Sequence, residues 1–508
     1  MSQGQRRTRS IHSVYRHLLL IVTTRKKHPY MNISIKAGIL PVALLNTVAM
    51  TAANDSIVWK RQVYSTGHVR FRQEVLASPA MRNYLHTPSI SEFSVYVTTE
   101  PAAAARIPQV GRGGKQFGME ASSFQQLGAN SVVWGKASYQ NGKKYDVTWN
   151  ETSDFLLLYP YVMGDAKGGD QNYESYRLDG GYSTRHGKTC YGVDLGYRTL
   201  SEYRDRDPRP NNTVADLYAQ GGIGLNIWGS YSVALTATAG KYKQTNELAF
   251  YNELGTQMVY HLTGIGNDFT RFSGQGKNCF YKGYSIGAEI SMASKETTGW
   301  SASAGYLFTR KEKVLTDLNR LPLNRLEVNS LDGAVGYNNE DYGVRLTGNV
   351  AQRKGIDNLF GDATGNIYPQ IGSRKQYDGK IKKIKAEGFW NVNWTEKTDV
   401  NIEPEIACAS FKNSHHTSGN LLKSSDLTMG VTASIVHANA KNMVCAKAKI
   451  RRRENLAARL DIYNCQNELL AATLQNIKEY MGGGETEMSL GGANGGNPLE
   501  AYCLSQRQ

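Results

Sequence analysis

Between residues 189 and 198 the chain reads TCYGVDLGYR. Tyr191, Val193, Leu195 and Tyr197 are large and apolar or amphipathic, whereas Cys190, Gly192, Asp194, Gly196 and Arg198 are small or charged. A strand sends alternate side chains to opposite faces, so this pattern predicts one greasy face and one polar face. The same period of two recurs at 231–239, 284–292, 300–308, 342–350, 384–394 and 427–435. Each run approaches the roughly 9–11 residues that a membrane-crossing strand needs.

The connections add a second pattern. Tight turns are expected at Asn141-Gly142-Lys143-Lys144, around His186-Gly187-Lys188, at Trp228-Gly229-Ser230, and at 338–341 and 395–398. Much longer segments separate the pairs so joined: 150–172, 199–213, 243–278, 311–326, 352–380 and 410–425. A soluble sandwich has no reason to gather every long loop at one end, whereas a transmembrane barrel has short periplasmic turns and long outer loops. The fold class expected is therefore all-β, a transmembrane antiparallel β-barrel of about 14–16 strands. Seven hairpin pairs fit between Val132 and Ile450, a further strand fits near 117–122, and an even total is expected. Tyr191, Val193, Leu195 and Tyr197 are then assigned to lipid, and Asp194 and Arg198 to a polar lumen. Aromatics that bracket the runs, such as Trp300 with Phe308 and Trp390 with Trp394, suit interfacial girdles.

Composition agrees. Tyr is the dominant aromatic at 30, against 13 Phe and 7 Trp, and 51 Gly with only 13 Pro fit many strands and turns better than helices. The net charge of +15 resembles a nucleic-acid signal, but residues 1–53 hold eight Lys/Arg and no Asp or Glu. The remainder has 51 basic against 44 acidic residues and no basic helix or stripe, so no nucleic-acid partner is expected. Residues 1–53 read as a leader: Lys36, an apolar stretch from Ala37 to Met50, and a small-residue cleavage site ending at Ala53, with Met31 an alternative start. Residues 54–112 are expected to form an N-terminal periplasmic segment or plug, and 113–508 the barrel, with 451–508 irregular. The six cysteines are scattered, so no metal site is expected and incidental thiols are the simpler reading.

The segments VVWGKASYQNGKKYDVTWNETSDFLLLYPYVMGD (132–165), EYRDRDPRPNN (202–212) and YHLTGIGNDFTRF (260–272) resemble an uncharacterised family of outer-membrane β-barrels from Bacteroides-type bacteria. The resemblance covers roughly residues 90–435. It rests on Trp134-Gly135, Trp149-Asn150-Glu151-Thr152, Tyr159-Pro160-Tyr161 and Arg206-Asp207-Pro208-Arg209-Pro210. It implies an outer-membrane location and fold, and no chemistry.

Candidate functional residues fall into two sets. Asp194, Arg198, Glu289, Arg345, Lys385, Glu387, Glu403, Glu405, Lys447 and Lys449 are expected on the inner face, where they either shape solute preference or pair across the interior. The RDRDPRP loop supplies Arg204, Arg206, Asp207 and Arg209, which could fork onto an anionic or sugar ligand or pair with one another. No catalytic set, metal-ligand set or cofactor motif is found: GIGNDF (264–269) lacks a strand-to-helix context, and His415-His416 lacks further ligands. The function expected is a pore or accessory component in solute uptake, and not an enzyme. The alternative is a surface scaffold with a blocked lumen that holds a ligand or partner, and an outer-membrane hydrolase comes third. Expected partners are outer-membrane lipid, the barrel-assembly machinery, and a transporter or surface lipoprotein.

Overall fold

In a computed structural model, residues 62–507 are described, apart from 65, 86, 102–106, 253–256, 275–277, 366, 440–442, 466–467 and 495–496. The expected leader, including Ala53, lies outside the described residues. Seventeen strands form one antiparallel sheet. They are β1 Ile90–Pro101, β2 Gly113–Gln126, β3 Ser131–Val147, β4 Gly169–His186, β5 Thr189–Tyr203, β6 Arg209–Asn226 and β7 Tyr231–Ala249. After a long excursion come β8 Cys279–Ser294, β9 Gly299–Leu315, β10 Leu321–Asn338, β11 Tyr342–Phe360, β12 Gln370–Thr395 and β13 Thr398–His415. The last are β14 Leu421–Ala438, β15 Met443–Asp461, β16 Glu485–Asn494 and β17 Asn497–Arg507. Each strand pairs with its neighbours in sequence from β1 through β17. The architecture is a transmembrane β-barrel.

The opening stretch behaves as its period demands. On β5, Leu195 is 57% exposed on the outer face while Cys190 is fully buried and Asp194 is 7% exposed on the inner face. Outward Leu235, Ile286, Ile290, Leu331, Val344, Ile384, Ile406, Met429 and Ile450 continue this apolar band around the wall. Near the short-turn end, Trp300 stands opposite Tyr337, and Tyr342 opposite Trp390, an aromatic row across four strands. Toward the other end Tyr284 and Phe308 stack at 6.1 Å. Rings at these levels place an apolar face in hydrocarbon and a polar tip in water.

Short and long connections alternate as expected, but several boundaries move. Asn141-Gly142-Lys143-Lys144 is not a turn: it lies inside β3, with Asn141 opposite Phe117 on one side and Glu174 on the other. Gly142 serves the packing of the wall, because a Cβ there would come within 2.6 Å of the Tyr173 hydroxyl. The strands from β2 to β15 run 14–26 residues, longer than a bilayer requires. At ~3.3 Å per residue, a 17-residue strand such as β9 spans roughly 56 Å, against an apolar band of about 25 Å. The ladders continue past the membrane at the long-loop end and absorb most of the loops expected at 199–213, 311–326, 352–380 and 410–425. The all-β antiparallel barrel expected stands; among the described residues the sheet holds seventeen strands, the terminal β17 included. Residues 90–101, expected in an N-terminal periplasmic segment or plug, form β1, and the tail expected to be irregular supplies the end of β15, a helix and the hairpin β16–β17.

The interior is filled from both ends. Helix α1 (Gly67–Val75) lies against β11, β12 and β13. The 3-10 turn Pro79–Tyr84 lies against β3 to β7. At the long-loop end the segment 148–168 folds inward, carrying the helical turn α2 (Phe155–Leu158). Its Met163–Gly164 pairs with the inner hairpin Tyr260–Gly264/Asn267–Asp268. Helix α3 (Glu468–Gly482) packs on β14 and β15. A wall contacted from within along so many strands wraps around its contents.

Replacing outward Leu195 by Arg would place a charge in the middle of the apolar band. The expected loss is about 2–4 kcal/mol of folding stability, read as a lower urea midpoint in lipid vesicles. The near-isosteric inward change Asp194→Asn should cost much less.

Candidate functional site

The lower closure is built by α1 and the turn that follows it. Thr66 caps α1 by accepting from the Val69 amide. Leu76, Ala80, Met81, Tyr84 and Leu85 pack against Phe124, Val132, Cys190, Ala234 and Ala293 of the wall. Phe71 meets Phe389 edge-on at 5.3 Å. Gly192 allows this approach, because a Cβ there would lie 2.2 Å from the Pro79 carbonyl. Polar contacts complete the seat. Arg70 pairs with Glu403, Arg345 donates to Glu74 at 2.5 Å, and Arg72 donates twice to the Ser294 carbonyl at 3.1 Å. Ser78 bonds Thr236 at 2.8 Å, and the Tyr84 hydroxyl donates to Asn226 at 2.6 Å.

The upper closure is knitted by buried charge. Arg204, at the head of β5, donates to Glu151 at 3.1 Å and to Asp165 at 2.7 Å, with all three side chains almost fully buried. Asn212 and Asn246 both donate to the Glu151 carbonyl. Buried Lys313 donates to the Val162 carbonyl at 3.1 Å. Around this polar knot Trp149, Leu158, Val162, Met163, Val259, Leu262 and Phe272 make an apolar core with Tyr281, Leu315 and Leu323 of the wall. Two carboxylates share one guanidinium away from water. Burial holds the Glu151 carboxyl well above the usual carboxylate range, and the charge of Asp165 adds to the effect while Arg204 opposes it.

Between the closures the inner face of the wall is polar. On β7, Thr236 touches the lower closure and Tyr242 donates to Asp154 of the upper one, six residues apart. That separation is roughly 20 Å along the strand, or about 15 Å along the barrel axis once strand tilt is allowed for. The expected inner-face residues all lie on the lumen side of their strands. Asp194 accepts from Trp134 Nε1 at 2.9 Å and lies 3.1 Å from the Tyr218 hydroxyl. Arg198 clamps Asp154 with two bonds, at 3.0 and 2.5 Å. Arg345 and Glu403 hold α1, as above. Lys385 pairs with Glu387 and lies 3.7 Å from Glu405, which also meets Arg451 at 3.2 Å. Lys449 lies 3.9 Å from Glu487. Glu289 and Lys447 make no ion pair among the described residues. Most of these charges are therefore engaged in tying wall to wall or wall to closure.

The loop residues are likewise occupied within the chain. Arg204 is the buried centre of the upper knot. Asp207 accepts from Arg209 at 2.7 Å and from the backbone amides of Tyr251 and Asn252. The Arg209 guanidinium lies 4.2 Å over the Tyr251 ring. Arg206 alone of the four is exposed to solvent. Residues that the pattern of the chain did not single out include Glu151, Asp154, Asp165, Asp179, Tyr218 and the plug cations Arg70 and Arg72. Glu151 sits in the Trp149-Asn150-Glu151-Thr152 motif, which marked a family and not a role.

The geometry defines a class: a membrane β-barrel whose charged lumen is occupied from both ends by its own chain. Residues 79–490 match a family described as a family of unknown function (DUF6850), and the chain belongs to it. No curated protein matches by sequence. Among solved structures, it is similar to the ferric preacinetobactin receptor BauA of Acinetobacter baumannii, with 8% identity over 74% of this chain and 78% of that one, at a TM-score of 0.36. The siderophore receptor PiuA of Acinetobacter baumannii gives 8%, 80%, 71% and 0.37, and CdiB from Escherichia coli gives 12%, 73%, 60% and 0.36. Likeness this loose says nothing of ligand or role.

The upper knot predicts a pH signature. Glu151 binds its proton more tightly folded than unfolded, where it titrates near 4.5, so its contribution is full below that pH and fades as pH rises. Glu151→Gln should flatten the decline of urea stability between pH 5 and pH 8, and an unchanged decline would contradict the assignment. Arg204→Ala leaves two buried carboxylates without their cation and should destabilise by about 3–5 kcal/mol.

Proposed function

We propose that this is an outer-membrane barrel of a Bacteroides-type bacterium that serves solute uptake as a gated pore or an accessory to a transporter. The observation that carries the reading is the lower closure. On the short-turn side the charged inner face is covered by one short segment, residues 62–85, held by two ion pairs, a few hydrogen bonds and a small apolar cluster. The two ion pairs, Arg70–Glu403 and Arg345–Glu74, are partly exposed and exchange readily with water, so the segment is suited to being drawn aside. The mixed signs along the inner face suit a small polar solute better than a strongly charged one. A permanently open, passive channel is not what this interior favours.

The surface-scaffold reading draws on the upper closure. Its buried ion knot and apolar core give the long-loop end a fixed shape, which suits holding a partner as much as admitting a solute.

Planar-bilayer recording separates the two. The full chain should be silent or nearly so; with Arg204→Ala as the common background, which frees the long-loop closure, a chain lacking 62–85 should give frequent large steps. Arg70→Gln with Glu74→Gln, which loosens the segment and leaves its apolar packing, should give intermediate flickering. Silence in both variants, each giving a heat-modifiable folded band, would favour the scaffold.

A further inference from the structure

The outer wall carries a lateral row of cations above the apolar band. Lys380 on β12 stands directly opposite Lys412 on β13, Lys412 opposite Lys423 on β14, and Lys423 opposite Arg459 on β15. Strand parity fixes their face. Lys380 is in phase with outward Ile384, and Lys412 with outward Ile406, whereas the neighbours of Lys423, Leu422 and Ser424, are buried inward. All four are exposed. With strands ~4.8 Å apart, the row spans roughly 15 Å.

Like charges in directly opposed positions destabilise a sheet, and one such pair is usually relieved by an acid nearby. Here Arg459 meets Asp461 at 2.8 Å, but no ion pair neutralises Lys380, Lys412 or Lys423 among the described residues. The nearest acid on β12, Asp378, is taken by Lys375. Lys382 adds a further exposed cation one step lower on the same face. The row also has a defined height. It lies four residues above Ile384 and six from Ile406 and Met429, where the lipid-facing band gives way to the strand extensions. This is the level of headgroups, and long lysine stems can run along apolar surface while their ammonium groups reach phosphate.

We propose that the row on β12–β15 binds the phosphate of a membrane lipid headgroup, with the acyl chains of that lipid lying against Ile384, Ile406 and Met429. The inference rests on the barrel lying in a bilayer and not on the uptake reading. Three unpaired cations in register would be relieved by one multiply charged phosphate lipid, whose fixed position would also pin the long-loop end of these strands.

The test uses the full chain in mild detergent, native mass spectrometry, and two probes: diphosphoryl lipid A and the same lipid dephosphorylated. The wild type should retain the phosphorylated lipid and lose most of it when Lys380, Lys412, Lys423 and Arg459 are all changed to Gln. The dephosphorylated lipid should bind weakly to both. Should the quadruple variant fail to give a heat-modifiable band, Lys412→Gln, at the centre of the row, replaces it with a partial loss expected. Equal retention by wild type and variant overturns the proposal, as does equal binding of the dephosphorylated lipid. Displacement of the lipid by millimolar inorganic phosphate would assign the row to free phosphate and also overturn it.

Discussion

A peptide group inside hydrocarbon has no water to bond, and leaving it unpaired costs several kcal/mol. That constraint decides the architecture here. Antiparallel ladders with a few bulges link β1 to β17, and the side chains divide by parity into a lipid-facing set and a lumen-facing set. Because parity is strict, every residue on TCYGVDLGYR has its environment settled by its position: Leu195 meets lipid and Asp194 meets the interior. The glycines of that stretch belong to the inner set, where Gly192 leaves space for the backbone of Pro79.

The interior obeys a different rule. A lumen of this width would hold water unless the chain fills it, and this chain does so with two unlike materials. The lower segment is seated by two partly exposed ion pairs, by buried hydrogen bonds from Arg72 and Ser78, and by a small apolar cluster. The upper segment is locked by the Arg204–Glu151–Asp165 knot, which is costly to break because each member is out of water. The asymmetry gives the account its direction: the element able to move is on the short-turn side.

Much of this was legible in the sequence and some of it was not. Period-two alternation and the alternation of short with long connections give a membrane barrel, because both arise from local chemistry repeated along the chain. Strand ends lie beyond where the pattern puts them because the ladders outrun the membrane: beyond the apolar band the outward residues turn charged, as at Lys380 and Lys412, and a polar strand reads as a loop. Asn141-Gly142 has the composition of a hairpin turn, yet its glycine is required by the Tyr173 ring on the next strand, a contact no local pattern carries. The inner-face charges could be named one by one from parity. Their partners could not, since Arg70 with Glu403 and Arg198 with Asp154 join segments far apart in sequence.

The central claim is that residues 62–85 sit inside the barrel wall as a separable closure. Ser78 and Thr236 bring their hydroxyl oxygens to 2.8 Å, so cysteines at these two positions are within disulfide reach. With Cys190 replaced by Ser, the most direct measurement is disulfide formation between Ser78→Cys and Thr236→Cys in isolated membranes, followed by conductance before and after reduction. The account predicts near-complete cross-linking, a silent oxidised barrel and no loss of the folded band. Free thiols at both positions in a correctly folded, membrane-inserted protein would place the segment outside the lumen and contradict it.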